Sequence, residues 1–562
     1  MSRGVRDLVR GRATAATMIL CVLAFATGAL AAGGSSHADH RASAGGAPMR
    51  LLGQAPPAQR IELALLLAFP GEQQLRASLA ALEDPGSPHF RQLISPGSFG
   101  ARFGISSARL RSLARWLTQR GLRITASYPQ RTELELSGSV RAVERLLRIR
   151  IATYADGPRR YHAPLGRPRV PPALAGAVDG VSGLDTRPRL RPHDVPLGGL
   201  TPNEAAVAYD LAPLHDAGLT GQGETIDLIS FSTYDAADPS AFASHFGLSG
   251  PVARVVPVDG GATDSSGQAE TDLDLEIIRA IAPSARVVVY EVPSTSSGYT
   301  DVINRIVADH NAGIVSSSWG QCELGLDPGQ RTGDSRALTA AVASGLSMFV
   351  AAGDSGAYDC QQDDLTDHRL SVDWPAASAD AVAVGGTRLY LDADYSYLTE
   401  AGWDDPLSAV GGGGGFSTGD PRPSWQTGPG VTGPYSNGHR QLPDVSADAD
   451  PGTPWPVYTG GQLQHVGGTS AAAPFWAASM LLIEQYAARQ RVGRLGYVNP
   501  ILYALAASRQ PYPPFHDVTV GGNRFYRATV GWDPATGLGS PDVYNLARDV
   551  VGFLRSHHAR RR

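Results

Sequence analysis

Ser470 stands in the run Gly467-Gly468-Thr469-Ser470-Ala471-Ala472-Ala473-Pro474, with small residues on both sides. A serine hydroxyl is a weak nucleophile until a base takes its proton. The chain has 14 histidines, and none is set to serve. His215 and His245 lie in polar turns. His465 is too near Ser470 in sequence to face it across a cleft. A Ser-His-Asp arrangement would lack its central member. Carboxylates are the other source of a base. The stretch 267–283, GQAETDLDLEIIRAIAP, offers Glu270, Asp272, Asp274 and Glu276. On a helix, residues four apart share a face. That pairs Glu270 with Asp274, and Asp272 with Glu276. At about 100° per residue, Leu273, Ile277, Ile278 and Ile281 gather on the Glu270 side. Glu270 and Asp274 are therefore expected to face inward, and Asp272 and Glu276 to face solvent.

Two carboxyls on an inward face repel one another and are desolvated, so at least one titrates above its ordinary range. Such a pair can take a proton from serine in acidic medium, where a histidine base would already be charged.

The elements that must position these residues change character along the chain. After residue 48, IELALLLAF alternates like a strand, and EQQLRASLAALED and SSARLRSLARWLTQRG have helical spacing. LRITASY and RTELELSG read as a strand pair, and SVRAVERLLRI as a further helix. This predicts a small α/β domain over 48–185. A Pro/Arg-rich stretch over 186–200 reads as an exposed linker. From 201 to about 550, short apolar strands alternate with helices: ETIDLISF, ARVVVYEV, AGIVSSSWG, LSMFVAAGDSG, DAVAVGGT. That is the pattern of a doubly wound, mostly parallel sheet. Its sites form at the carboxyl ends of strands, where WG at 319–320, GDSG at 353–356 and GGT at 385–387 fall.

With 562 residues, the chain exceeds one ordinary core. Residues 1–200 hold 27 Arg against 13 acids, and residues 201–562 hold 21 Arg against 40 acids. A basic front and an acidic body attract each other, and the attraction is expected to fade as carboxylates protonate. The front arginines are dispersed among apolar periodic segments, which argues against nucleic-acid binding. Arg3, Arg6, Arg10 and Arg12 precede the apolar run MILCVLAFATGALAA, and Ala29-Leu30-Ala31 suits cleavage. Residues 1–31 read as a secretory signal, too short in its apolar part to span a membrane, so a secreted protein with no lasting membrane insertion is expected. Residues 32–47 and 551–562 read as disordered. Cys21 lies in the signal. Cys322 and Cys360 are left as an even pair in an exported chain, so a disulfide is expected, with two free thiols the alternative.

Eight motifs in order carry a family resemblance: AETDLD, SSSWG, AAGDSGA, VDWPA, VGGT, LPDVSADADP, GGTSAAAP and GWDPATGLGSP. The chain resembles the sedolisins, the serine-carboxyl peptidases, over about 48–550. Its front part is similar to their kumamolisin-type activation prodomain. The resemblance implies a subtilisin-like catalytic domain behind a small ferredoxin-like prodomain that inhibits it. It also implies an acid-active zymogen, an endopeptidase or tripeptidyl-peptidase that frees itself by cutting the linker and acts on proteins or peptides as a monomer.

Position by position, Ser470 matches the nucleophile, Glu270 the base and Asp274 the carboxyl that tunes it. FVAAGDSG resembles the strand that in subtilisins ends in an oxyanion-hole asparagine. Here Asp354 stands there, and a protonated Asp donates to an oxyanion where an ionised one would repel it. Read alone, GDSG is equally a turn. Trp319 matches a cleft residue, and Gly412, Gly413 and Gly414 a glycine-rich substrate strand, although composition alone suits a flexible loop. A calcium site is implied at Asp517 and Asp533, with carbonyls of Val518, Thr529 and Gly531. Ser230 stands where some relatives carry a further acid.

Overall fold

The computed structural model describes residues 50–156, 159–187, 191–192, 195–196 and 200–559. The expected signal and the segment to residue 47 lie outside these.

The first domain is a four-stranded antiparallel sheet of β1 (Arg60–Leu67), β2 (Arg123–Ser127), β3 (Glu133–Ser139) and β4 (Val178–Ser182), in the order β2-β3-β1-β4. Helices α1 (Glu72–Glu83) and α2 (Ser107–Thr118) join β1 to β2, and α3 (Val140–Leu147) follows β3. This is the split βαβ connectivity expected for the front part. Local chemistry punctuates it. Ser106 and Ser139 accept backbone N–H groups at the starts of α2 and α3, and Arg148 closes α3 in the left-handed region at φ 53°.

The second domain is built on an eight-stranded sheet: β5 (Thr225–Ser230), β6 (Arg254–Pro257), β7 (Arg286–Glu291), β8 (Ile314–Ser317), β9 (Ser347–Ala351), β10 (Val382–Leu391), β11 (Tyr397–Gly402) and β12 (Val445–Asp448). The order is β6-β7-β5-β8-β9-β10-β11, with β12 also paired to β10. All ladders are parallel except β10 with β11. Strands β8 and β9 are buried along their whole length, as helices on both faces require. Helices α4 (Gln268–Ile281), α5 (Gly298–Asp309), α6 (Pro328–Ser344) and α7 (Thr469–Arg489) cover the sheet, and α8 (Val543–Ala559) packs on α7. From β5 the chain winds to β6 and β7 on one side, then returns to β8, β9 and β10 on the other. The switch point lies between β5 and β8, where such sheets open a crevice.

The first and second domains share a core. Leu75, Ile94, Phe99 and Phe103 pack in one cluster with Val302, Ile306 and Leu338 of α5 and α6. Ion pairs cross this seam in both polarities, Arg159 to Asp264 and Arg336 to Asp179. Carboxyls from both sides also meet there, Glu133 and Glu135 against Asp301. The seam thus rests on apolar burial and paired polar groups.

Two expectations about segments are corrected. The tail over 551–562 is helical through Ala559, because Val550, Val551 and Leu554 bury against the core around α7. The linker over 186–200 is not simply exposed. Arg191–Pro192 pairs antiparallel with Trp319–Gly320, and Val195–Pro196 with Val466–Gly467. Backbone pairing to preformed edges holds what composition alone would leave loose. No helix among the described residues is long and apolar enough to cross a membrane.

Candidate active site

Ser470 is the second residue of α7, a helix buried along nearly its whole length. Gly468 before it has φ 124°, a conformation closed to most side chains. A Cβ on Gly467 would lie 2.6 Å from the Ala449 carbonyl. The glycine pair is what lets the chain enter the helix here. Ser470 is 0% exposed, and its Oγ has no hydrogen-bond partner among the described residues, histidine included. Its N–H belongs to the first turn, where helix N–H groups lack carbonyl partners and the helix dipole is positive.

Pro474 has no N–H to give the Ser470 carbonyl four residues back. Ser318, just past β8, fills that place: its Oγ lies 3.2 Å from Ser470 O and 2.6 Å from Asp274 Oδ1. Asp274 is 0% exposed, and burial pushes its carboxyl well above the usual range. Glu270, also 0% exposed, lies one turn earlier on the same face of α4, which packs against α7. Asp354 follows β9. Its Oδ1 accepts from both the N–H and the hydroxyl of Thr469 at 2.8 Å each. Asp274, through Ser318, and Asp354 thus converge on the first two residues of one helix, with Glu270 on the same face of α4 as Asp274.

The other acid pair corrects the expected helix phase. Asp272 and Glu276 are both 0% exposed. The hairpin of Trp455–Thr459 and Gln462–Gly467 lies over them. Thr459 Oγ1 donates to Asp272 at 2.8 Å, and Tyr458 N–H to Glu276 at 2.7 Å. Burial raises Asp272 to about 7 and Glu276 to about 10. An amphipathic pattern separates apolar from polar faces, but cannot tell solvent from a distant hairpin that carries donors. Ser230 Oγ, at the end of β5, hydrogen-bonds Thr271 Oγ1, the residue after Glu270, at 2.7 Å.

Trp319 is 4% exposed, packs edge-on to Phe231, and offers its backbone to the linker strand. Gly412, Gly413 and Gly414 are buried and lie between strands rather than within one. Gly413 N–H bonds Gly353 O at 2.7 Å, and a Cβ there would overlap the Ala352 carbonyl at 1.8 Å. Gly411 N–H bonds Asp354 O at 2.9 Å. The run seats the Asp354 turn by close backbone approach. Cys322 and Cys360 are joined by a disulfide that ties the strand after Trp319 to the turn after Asp354.

Sequence reading assigned no role to Ser318, Thr469, Asp359 or Asp373. The signal for the first two was adjacency to Trp319 and Ser470. Asp373 is 0% exposed, and a Cβ on Gly320 would come within 2.1 Å of its Oδ1.

Away from the cleft, Asp517 accepts from Gly531 N–H at 3.0 Å, and Asp533 from Thr529 N–H at 2.8 Å. Thr536 Oγ1 reaches both Val518 O and Asp533. The five residues expected at the calcium site are therefore gathered. Their donor set is all oxygen, the ligand type a hard cation takes.

The model of the pro-kumamolisin activation domain matches residues 48–187, and that of the subtilase family residues 233–493. Kumamolisin of Bacillus sp. (strain MN-32) is 34% identical over 530 residues, 88% of this chain and 92% of that protein. Sedolisin of Pseudomonas sp. (strain 101) is 29% identical, with 86% of each covered. Tripeptidyl-peptidase 1 of Canis lupus familiaris is 28% identical, with 89% and 93% covered. The solved structure of Pseudomonas sedolisin, a serine-carboxyl proteinase complexed with two molecules of pseudo-iodotyrostatin, aligns with a TM-score of 0.55 at 30% identity, covering 64% of this chain and 98% of that one. Likeness sustained from prodomain to the last core helix leaves one assignment: this chain belongs to the sedolisin family of serine-carboxyl peptidases.

Proposed function

We propose that this chain is the secreted precursor of an acid-active protease with Ser470 as nucleophile, Glu270 as base, Asp274 as its tuning carboxyl and Asp354 as oxyanion donor. The observation that carries the assignment is the convergence at the start of α7, where Asp354 is tied to Thr469 and Asp274 reaches Ser470 through Ser318. Ser470 Oγ attacks the peptide carbonyl as Glu270 takes its proton. The tetrahedral oxyanion is held by the N–H of Ser470 and by protonated Asp354. Glu270 returns its proton to the leaving amine, and water then resolves the acyl-enzyme.

The two linker strands bracket the cleft at Trp319–Gly320 and Val466–Gly467, which supports cleavage of the linker between Pro192 and Val195 by the enzyme itself. Asp517, Asp533 and the carbonyls of Val518, Thr529 and Gly531 would hold calcium. When bound, it would fix the turns that carry these residues; it takes no part in catalysis.

The test is hydrolysis of a denatured protein from pH 2 to 8 after acid preincubation. Wild type is compared with Ser470→Ala and Glu270→Ala. An acidic optimum lost in both variants is expected. Inactivity of the wild type at every pH, with the prodomain shown to be released, would leave a peptide-binding relative as the better reading.

A further inference from the structure

The seam between the domains holds carboxyls for which hydrolysis has no use. Glu133 and Glu135 are two apart on β3 and so point to the same face of the sheet. Asp301 faces them from the first turn of α5. One oxygen from each lies within 4.8 Å of the others. Glu133 is 0% exposed, Asp301 5% and Glu135 8%.

Some of their oxygens are satisfied. Glu133 Oε1 accepts from Asn304 Nδ2 at 2.6 Å, and Glu135 Oε1 from Tyr128 OH at 2.5 Å. Glu133 Oε2 and Asp301 Oδ1 are buried and have no hydrogen-bond partner among the described residues. Such oxygens are costly to bury unless something positive faces them. No arginine forms an ion pair with these three among the described residues. Arg60 lines the adjoining cavity but donates to Ser137 Oγ. That cavity, of about 510 Å³, is lined by Glu135, Asp301, Asp259 and Ser297 and has room for water beside the carboxylates.

We propose that a divalent, oxygen-seeking cation of the calcium class binds here, ligated by Glu133 and Glu135 from the prodomain and Asp301 from the catalytic domain. Water in the cavity completes the shell of about six to eight oxygens that such an ion takes. The ligands come from both sides of the linker. The site therefore exists while the prodomain is docked and is dismantled when it leaves, which makes the ion a clamp specific to the precursor. It is separate from the Asp517–Asp533 site, whose residues all lie in the catalytic domain.

The test uses the full-length precursor carrying Ser470→Ala, stripped of metal, checked for intact mass and titrated with Ca²⁺ by calorimetry near neutral pH. Adding Glu133→Gln and Asp301→Asn should lower the number of bound ions by one, with melting in EDTA unchanged or raised. The same number of ions in variant and parent overturns the proposal. If that variant does not fold, Asp533→Ala in the Ser470→Ala precursor decides. A persisting Ca²⁺-dependent rise in melting temperature supports the clamp, and loss of all response to Ca²⁺ overturns it.

Discussion

Ser318 has one hydroxyl proton but sits within hydrogen-bond reach of two oxygens, Asp274 Oδ1 and Ser470 O. Its hydroxyl donates to Asp274 Oδ1 at 2.6 Å and reaches the Ser470 carbonyl, which Pro474 leaves without an N–H, at 3.2 Å, a shared three-centre arrangement that opposes the upward push of burial on Asp274. Ser318→Ala should cost kcat roughly ten-fold, one hydrogen bond's worth, with little change in KM. It should also shift the neutral-side limb of the pH–rate profile, which a merely structural loss would not move. Asp354 offers a second residue-scale test. Asparagine can accept from Thr469 and donate from its amide at any pH. Asp354→Asn is expected to keep acid activity and lose it less steeply towards neutral pH. Asp354→Ala should lose about 10²–10³ in kcat. Full pH profiles of the three variants check these outcomes.

At the scale of elements, the hairpin of Trp455–Thr459 and Gln462–Gly467 does two things at once. It caps the outer acid pair of α4 and lends its second strand to the linker. Asp272 titrates near 7 in the fold, against 3.8 ordinarily, so folding favours its neutral form. Asparagine mimics that form. Asp272→Asn should raise the melting temperature at pH 8 and leave it unchanged at pH 4, as scanning calorimetry would show. The disulfide works between elements too, closing a sequence separation of 38 residues around the Asp354 turn. The paired change of Cys322 and Cys360 to Ser should cost up to about 4 kcal/mol of stability by loop-closure entropy, read by denaturant unfolding.

For the whole molecule, buried carboxyls set the direction of pH dependence. Burial raises Asp227 to about 8, Asp272 to about 7 and Glu276 to about 10. Each binds its proton more tightly when folded. Their contribution is complete below the ordinary carboxyl range and is lost as pH rises through about 7 to 10. Melting temperature should therefore be highest in acid and fall by roughly 2–4 °C towards pH 8, the shift a few kcal/mol gives in a chain of this size. A melting temperature that climbs steadily from pH 4 to pH 8 would contradict this balance.

Period and residue type were enough to announce the parallel sheet, the small front domain, the acid pair Glu270 and Asp274, and the place of Ser470 at a helix start. Those are local properties: apolar runs, a four-residue spacing, a glycine pair before small residues. Tertiary structure alone decided what covers a polar surface. It buried Asp272 and Glu276 under a hairpin nearly two hundred positions away. It carried the last helix to Ala559 by giving its apolar residues a core to join. It brought Ser318 to Asp274, and Glu133 to Asp301, across breaks in sequence that no periodicity spans. A sequence states which faces are polar. Only packing decides whether each polar face meets water, a donor or another charge, and that choice sets the chemistry of the carboxyls here.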